Sequence, residues 1–549
     1  MEYSLSSSLV GGSGSLNPDK LSLNLQFSTD KTLTARKGPT PTFVRASTGT
    51  YFGSDGYLKS AANNVARFDH DTSYVGSKLE LVIINGIDTS SGAVPSEIIS
   101  FTSLDSNGFP YFSSSLFEVS YNGSYWEILW IGGSGLFAAT SVQLSGTYTL
   151  IEGDAVSVSA TLSLACKGLL IEESSANFAT YSQLLTNVSW VTIATTASAV
   201  GIGPTAETAF EMTETSATAQ HNITNTGGLT TAQAASFTSG LSYTFSVFAK
   251  KSAGSIDWIQ MTGTGPAFGA FQHANFNIGT GVVGYYTGTP VGSPPKIESV
   301  GNGWYRCSLT VVATATAIGN AIGVVLTNNT DTVVRAPSYI GSTANKVLLT
   351  MAQVEQKAFP TSYIPTTTGT APRSADLCSI TSSAFTSFYN QPAGTMIVDG
   401  HNSMSSDLNN IRWTSCSPIT GGRAFEIEGG STLLRFVEPT SPLSEVTISS
   451  SFSLPSKFGL ACSLNDFQGV SKGILGGVDT TATMTSPTTL NIGNLDASSS
   501  FINGCISSIQ YYKKRLPNAK LIMATNPNAN IYSFNGDVYT DSSSNLYTY

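Results

Sequence analysis

Tyr243-Thr-Phe-Ser-Val-Phe248 and Trp304-Tyr-Arg-Cys-Ser-Leu-Thr-Val311 decide the fold. Both alternate apolar and polar residues with a period near two, the mark of a strand with one buried face. Their aromatic and β-branched side chains suit a pleated, half-buried surface. Trp258-Ile-Gln-Met261 and Val347-Leu-Leu-Thr-Met351 read as strands too. Turn residues separate these runs, and the spacing fits a β-sandwich. The same texture extends in both directions along the chain. It predicts an all-β protein: several β-sandwich (jelly-roll) modules in series, with an inserted small β domain and an extended N-terminal arm.

Composition agrees. The 549 residues leave room for roughly three to five domains at about 100–200 residues each. Charged residues are 11%, against about 25% in an ordinary globular domain. A hydrophobic fraction of 41% and an aromatic fraction of 10% still let the chain bury cores and escape disorder.

Residues 1–41 are polar, with a Gly/Ser run at Gly11-Gly-Ser-Gly-Ser15 and one alternating stretch, Leu21-Ser-Leu-Asn-Leu-Gln-Phe27. They read as an arm with one strand, suited to docking on another subunit. Phe43-Val-Arg-Ala-Ser-Thr-Gly-Thr-Tyr-Phe52, a turn at Gly53-Ser-Asp-Gly56 and Tyr57-Leu-Lys-Ser-Ala61 read as a hairpin. Residues 42–72 plus 166–190 thus form a connector. Residues 73–165 read as an inserted β module that includes Trp126-Glu-Ile-Leu-Trp130. Residues 175–365 make the main jelly roll, 366–372 a linker, 375–521 a second sandwich and 522–549 a tail. One helix is expected at Pro517-Asn-Ala-Lys-Leu-Ile-Met-Ala524, with Pro in its first turn. No repeat of about 20–25 residues recurs, which counts against a stacked solenoid.

The net charge is −9. Nucleic-acid binding needs a basic stripe, and Lys513-Lys514-Arg515 is the sole basic triplet. The six cysteines stand singly, without CxxC or Cys/His pairing, so buried free thiols are expected and zinc is not. Met1-Glu-Tyr-Ser lacks a basic start and an apolar core, so no secretory leader is expected. No apolar run reaches membrane-spanning length, so membrane insertion is not expected.

A glycosidase needs two carboxylates facing a sugar. Glu172 and Glu173 are adjacent, so a strand points them to opposite faces. His70, His221, His273 and His401 have no Gly-x-Ser-x-Gly elbow beside them. No catalytic residue is assigned, and the chain is read as non-enzymatic and without a cofactor. Calcium at Asp105-Ser-Asn-Gly108 or Asn328-Asn-Thr-Asp331 is weighed against plain Asx turns, and neither has EF-hand spacing.

Sugar recognition uses aromatic faces for pyranose C–H groups and polar side chains for hydroxyls. Candidates are Trp126 and Trp130, four apart on one strand, and Tyr285 and Tyr286 after a Gly-rich turn. Arg412, Trp413 and Arg423, near polar loops, complete the set. Packing competes with binding at each. Trp190, Trp258 and Trp304 are read as core.

Several phrases resemble a pattern in phage and prophage virion proteins. They are Phe43-Val-Arg-Ala-Ser-Thr, Ala66-Arg-Phe-Asp-His-Asp71, Gly168-Leu-Leu-Ile-Glu-Glu173, Gly301-Asn-Gly-Trp-Tyr-Arg-Cys307 and Phe359-Pro-Thr-Ser-Tyr-Ile-Pro365. The likeness spans roughly residues 40–72 and 167–380, and residues 73–165 intrude where that family has a short connection. The family comprises tail fibres, head spike fibres and receptor-binding proteins with a jelly roll similar to carbohydrate-binding modules. Residues 375–521 resemble a concanavalin/laminin-G-type lectin sandwich through Lys457-Phe-Gly-Leu-Ala461, Asn491-Ile-Gly493 and the run from Gly504 to Leu521. The resemblance implies a virion adhesin, docked on other virion structural proteins through its N-terminal arm (residues 1–41), assembled in the host cytoplasm and homotrimeric. It would bind host cell-surface polysaccharide with avidity from many copies. The alternatives are a structural decoration acting as a spacer and a polysaccharide depolymerase.

Overall fold

The computed structural model describes residues 21–526, except 55, 73–77, 85–95, 105–109, 114–116, 122–125, 131–147, 152–156, 205–206, 226–236, 270–271, 289–292, 302, 319–320, 404–410, 418–424, 430–433, 439–443, 450–455, 482–485 and 497–498; it also describes 533–534, 537–540 and 546–547. The protein is all-β, and its sheets are antiparallel throughout the described residues. No helix among them is long and apolar enough to cross a membrane.

The two stretches that decide the fold pair with each other. Tyr243 faces Val311, Phe245 faces Leu309 and Val247 faces Cys307. All six side chains enter one core, as a period of two requires. Their six-stranded sheet runs in the order Thr195–Ile202, Thr208–Glu214, Lys346–Glu355, Ser242–Ala253, Tyr305–Val312, Lys296–Ser299. A second sheet covers it, in the order Trp190–Ile193, Thr218–Asn225, Ala321–Leu326, Trp258–Thr264, His273–Asn277, Val282–Thr287, with Ser338–Ile340 also on Thr218–Asn225. Each large apolar side chain sealed between them contributes about 1.5–3 kcal/mol.

The second sandwich is not confined to residues 375–521. Its larger sheet runs Ile474–Asp479, Asp466–Ser471, Ser456–Ser463, Ala393–Ser403, Gly504–Tyr512, Cys166–Ile171, Phe68–His70, with Leu21–Leu25 also paired to Gly504–Tyr512. The facing sheet opens with Thr42–Val44 and continues through Leu377–Thr381, Thr489–Ile492, Ile411–Ser417, Phe425–Gly429, Leu434–Glu438 and Ser444–Ser449. The expected docking arm is corrected over its described part. Leu23 and Leu25 lie in the sandwich core, and a register shift turns Leu21 to the opposite face, where it packs with Leu516 and Leu521. A strand with that much apolar surface is better buried on Gly504–Tyr512 than left free. The helix expected near Pro517 forms at Asn518–Thr525 and covers that face.

Residues 73–165 leave and return where the Asp71 amide donates to the Ala165 carbonyl at 2.8 Å. Their strands make one seven-stranded sheet, in the order Trp126–Trp130, Phe117–Tyr121, Pro110–Ser113, Ser96–Leu104, Lys78–Ile84, Ser157–Leu164, Tyr148–Ile151.

The phrases that carried the resemblance meet at a buried ionic junction between the two sandwiches. Arg45, Arg67, Glu172 and Asp376 have fully buried side chains, and Arg373 is nearly so. Arg45 Nη1 reaches Asp376 Oδ1 at 3.0 Å, and Arg67 Nη2 reaches Glu172 Oε2 at 2.7 Å. Arg67 Nη2 also bonds Asp376, while Nη1 donates to Ser362 Oγ and to the Thr50 carbonyl, each at 2.7 Å. Glu172 accepts from the Ser362 amide and hydroxyl at 2.7 and 2.6 Å. Next to Ser362, the Tyr363 ring packs with Phe248 and Trp304 of the first sandwich. Glu173 turns away to Lys357, 3.1 Å distant. The two adjacent carboxylates, just past the end of strand Cys166–Ile171, therefore diverge.

Candidate functional site

Strand Trp258–Thr264 sends Ile259 and Met261 into the core. Alternation turns Trp258, Gln260 and Thr262 to the outer face. On the neighbouring strand Ala274 and Phe276 point inward, so His273 and Asn275 share that outer face. Trp258 is thus corrected from core to a half-buried position outside it, whereas Trp190 and Trp304 are buried as expected.

The loop 327–337 crosses this face, held by a ladder of amides. Gln260 Nε2 donates to Asn275 Oδ1 at 2.9 Å and to the Val334 carbonyl at 3.1 Å, and Gln260 Oε1 accepts from the Ala336 amide at 2.7 Å. Asn275 Nδ2 donates to Asp331 Oδ1 at 2.9 Å and to the Thr332 carbonyl at 2.7 Å. Asp331 Oδ1 also accepts from the Tyr285 amide at 2.7 Å. Gln260 and Asn275 are fully buried, and a buried amide is tolerated only when bonded. They hold the loop in place, and the loop presents an exposed Asp331 and a half-buried Arg335.

The edge strand Val282–Thr287 closes the site. Tyr285 is 41% exposed, and its ring lies 5.6 Å from that of His273, tilted by 40°. Any side chain at Gly284 would place Cβ 2.5 Å from the Trp258 ring. Glycine therefore lets the edge strand approach the indole closely. Trp258, Asp331, Arg335 and Tyr285 together form a face with two rings, one anion and one cation. Rings of this kind stack on sugar C–H surfaces, and the charged groups bond hydroxyls.

Other expected residues fall elsewhere. Tyr286 is 43% exposed but sits opposite Ala274, a core residue, at the sheet edge. Trp126 and Trp130 lie four apart on an edge strand of the inserted sheet, opposite Tyr121 and Phe117; their side chains lie outside the described residues. Arg423 lies outside them as well. Arg412 and Trp413 are corrected: they are 3% and 0% exposed, so neither can meet a ligand. A register shift between Arg412 and Thr414 breaks the alternation and buries every residue from Ile411 to Cys416.

Of the loops weighed for calcium, residues 105–108 lie outside the described residues. In the other, Asn328 and Asn329 adopt positive φ and Thr327 bonds Thr330 in a closed turn. Among the described residues, no group of three His, Cys, Asp or Glu side chains could hold a metal ion. All six cysteines are free thiols. Burial pushes the half-buried Cys166 up to about 11, which keeps it protonated near neutral pH.

Tyr285 is legible as a candidate in the sequence; Arg335 and the ladder beneath it are not among the candidates it yields. The signal was present in Trp258-Ile-Gln-Met261, where a polar residue between two core residues must face outward.

No protein-family model matches the chain, and no curated protein matches it. Solved structures do. The chain is similar to a Clostridium thermocellum xylanase fragment with CBM22-1 and GH10 modules, solved with xylohexaose, at 12% identity and a TM-score of 0.22. That match covers 35% of this chain and 30% of the xylanase fragment, so the chain spans less than a third of that structure. A tandem CBM22 structure from Paenibacillus barcinonensis Xyn10C aligns at 11% identity and TM-score 0.20, covering 61% of this chain and 97% of that one. Mouse laminin α1 domains LG4-5 align at 12% and 0.18, covering 52% and 90%. Likeness at this level carries no argument about ligand or activity.

Proposed function

We propose that this chain is a non-enzymatic glycan-binding protein whose sugar platform is the outer face formed by Trp258, Tyr285, Asp331 and Arg335. One observation carries the reading: a buried amide ladder fixes a loop so that Asp331 and Arg335 stand on a rigid sheet face that also carries the Trp258 and Tyr285 rings. Sites held this way bind with little ordering cost. The phrases resembling phage virion proteins extend the proposal to an adhesin on a phage particle, assembled in the host cytoplasm, with host-surface polysaccharide as its partner.

The test begins with a glycan array probed by the whole protein. Tyr285→Ala is expected to weaken the best glycan roughly two- to tenfold, the loss of about 0.5–1.5 kcal/mol of ring contact. Stability should stay within about 0.5 kcal/mol, since the ring is on the surface. Unchanged affinity in Tyr285→Ala rejects the platform. Release of reducing ends from a bound polysaccharide rejects the non-enzymatic reading.

A further inference from the structure

We infer that the ligand of this platform is an acidic glycan, with Arg335 receiving a carboxylate, sulfate or phosphate on the sugar beside the one stacked on Tyr285. The inference rests on the platform reading and deepens it.

Arg335 is half-buried. Its Nε donates to Thr262 Oγ1 at 2.7 Å and its Nη2 to the Gly263 carbonyl at 3.4 Å. Both acceptors are neutral. Asp331, on the same loop, spends Oδ1 on Asn275 and the Tyr285 amide. Among the described residues, no carboxylate lies within ion-pair distance of Arg335. By contrast, Arg36 pairs with Asp30, Lys251 with Asp257, Lys346 with Glu211 and Arg515 with Asp466, all at 3.0 Å or less. Desolvation lowers the pKa of Arg335, with no acid opposing it.

A partly desolvated cation without a counter-charge costs free energy. Two neutral acceptors nonetheless hold its planar fork in one orientation, and no protein group among the described residues engages Nη1. A guanidinium so aimed is prepared for a charge-assisted, two-point bond to an anion.

Position agrees with chemistry. Thr262 lies opposite His273 in the register, and the His273 ring lies beside Tyr285. Arg335 and Tyr285 are therefore about two strand spacings apart, roughly 10 Å. Two linked sugar rings span that distance, so one can stack while its neighbour offers an anion.

The experiment uses the full chain and matched oligosaccharides with and without the acid: oligogalacturonate against its methyl ester, sialyllactose against lactose, and sulfated against desulfated chains. These pairs separate carboxylate from sulfate as the source of charge. The wild type is expected to prefer at least one acidic member by about tenfold, with the preference shrinking as salt rises. Arg335→Gln should bring the acidic and neutral members of the pair to equal affinity, and Arg335→Lys should restore part of the preference. Equal wild-type binding of acidic and neutral partners overturns the inference, as does an unchanged ratio in Arg335→Gln. If Tyr285→Ala weakens both members but Arg335→Gln weakens neither, the platform stands and the acidic ligand falls. If Tyr285→Ala changes nothing, the platform itself fails.

Discussion

Replacing Asp376 with asparagine is expected to destabilise the protein by about 3–5 kcal/mol, the usual cost of removing one partner from a buried ion pair. The side chains are nearly equal in size, so the loss comes from charge. Three guanidinium groups, Arg45, Arg67 and Arg373, now face two carboxylates, Glu172 and Asp376. The substitution leaves three cations facing one anion among side chains that are buried or nearly so. Thermal and urea unfolding of the whole protein will measure it. Adding Arg45→Met removes one surplus cation and should recover part of the loss, a coupling that a double-mutant cycle detects. A change under about 1 kcal/mol in Asp376→Asn would mean that the junction is wet or open in solution. Acid tests the same junction from Glu172. Burial pushes its carboxyl up, but Arg373, Arg67 and the Ser362 hydrogen bonds outweigh this and hold it down at about 2, against an ordinary 4.5. A depressed folded value means that the contribution is complete above 4.5 and is lost as pH falls towards 2. Glu172→Gln should flatten that part of the stability profile while lowering stability at neutral pH.

The junction shows where sequence reading succeeds and where it stops. Arg45, Arg67, Glu172 and Ser362 each stand in a phrase singled out by resemblance, yet nothing local says that the phrases meet. Charged residues meant to pair across hundreds of positions leave no periodic trace. Strand existence is different. The alternation in Leu21–Leu25 and in Ser242–Ala253 reports a half-buried strand without reference to any partner. Its partner is a separate matter, and Leu21–Leu25 pairs with Gly504–Tyr512 at the far end of the chain. That is why the fold class is legible in the sequence, whereas the extent of the second sandwich and the place of its first strand are not. The site divides in the same way. Exposure at Tyr285 follows from its place after a Gly-rich turn, but the loop carrying Arg335 acquires its position from Gln260 and Asn275, which lie far from it in sequence.

Trp413 gives the sharpest contrast between a ring that binds and a ring that packs. Its side chain is sealed in the core of the second sandwich, edge-to-face with Phe458 at 5.3 Å between centroids. It lies over Gly400, where an added Cβ would come within 2.5 Å of the indole. Trp413→Ala is therefore expected to cost about 3–5 kcal/mol through lost burial and the cavity left behind. Gly400→Ala, which crowds the same ring from the other strand, should cost about 1–3 kcal/mol by overpacking. Glycan affinity, measured where the Trp413→Ala protein is still folded, should match the wild type, because the platform lies on the other sandwich. Tyr285→Ala should give the reverse: weaker binding with unfolding unchanged. A Trp413→Ala protein of normal stability that no longer binds sugar would put this ring on the surface and move the binding face to the second sandwich.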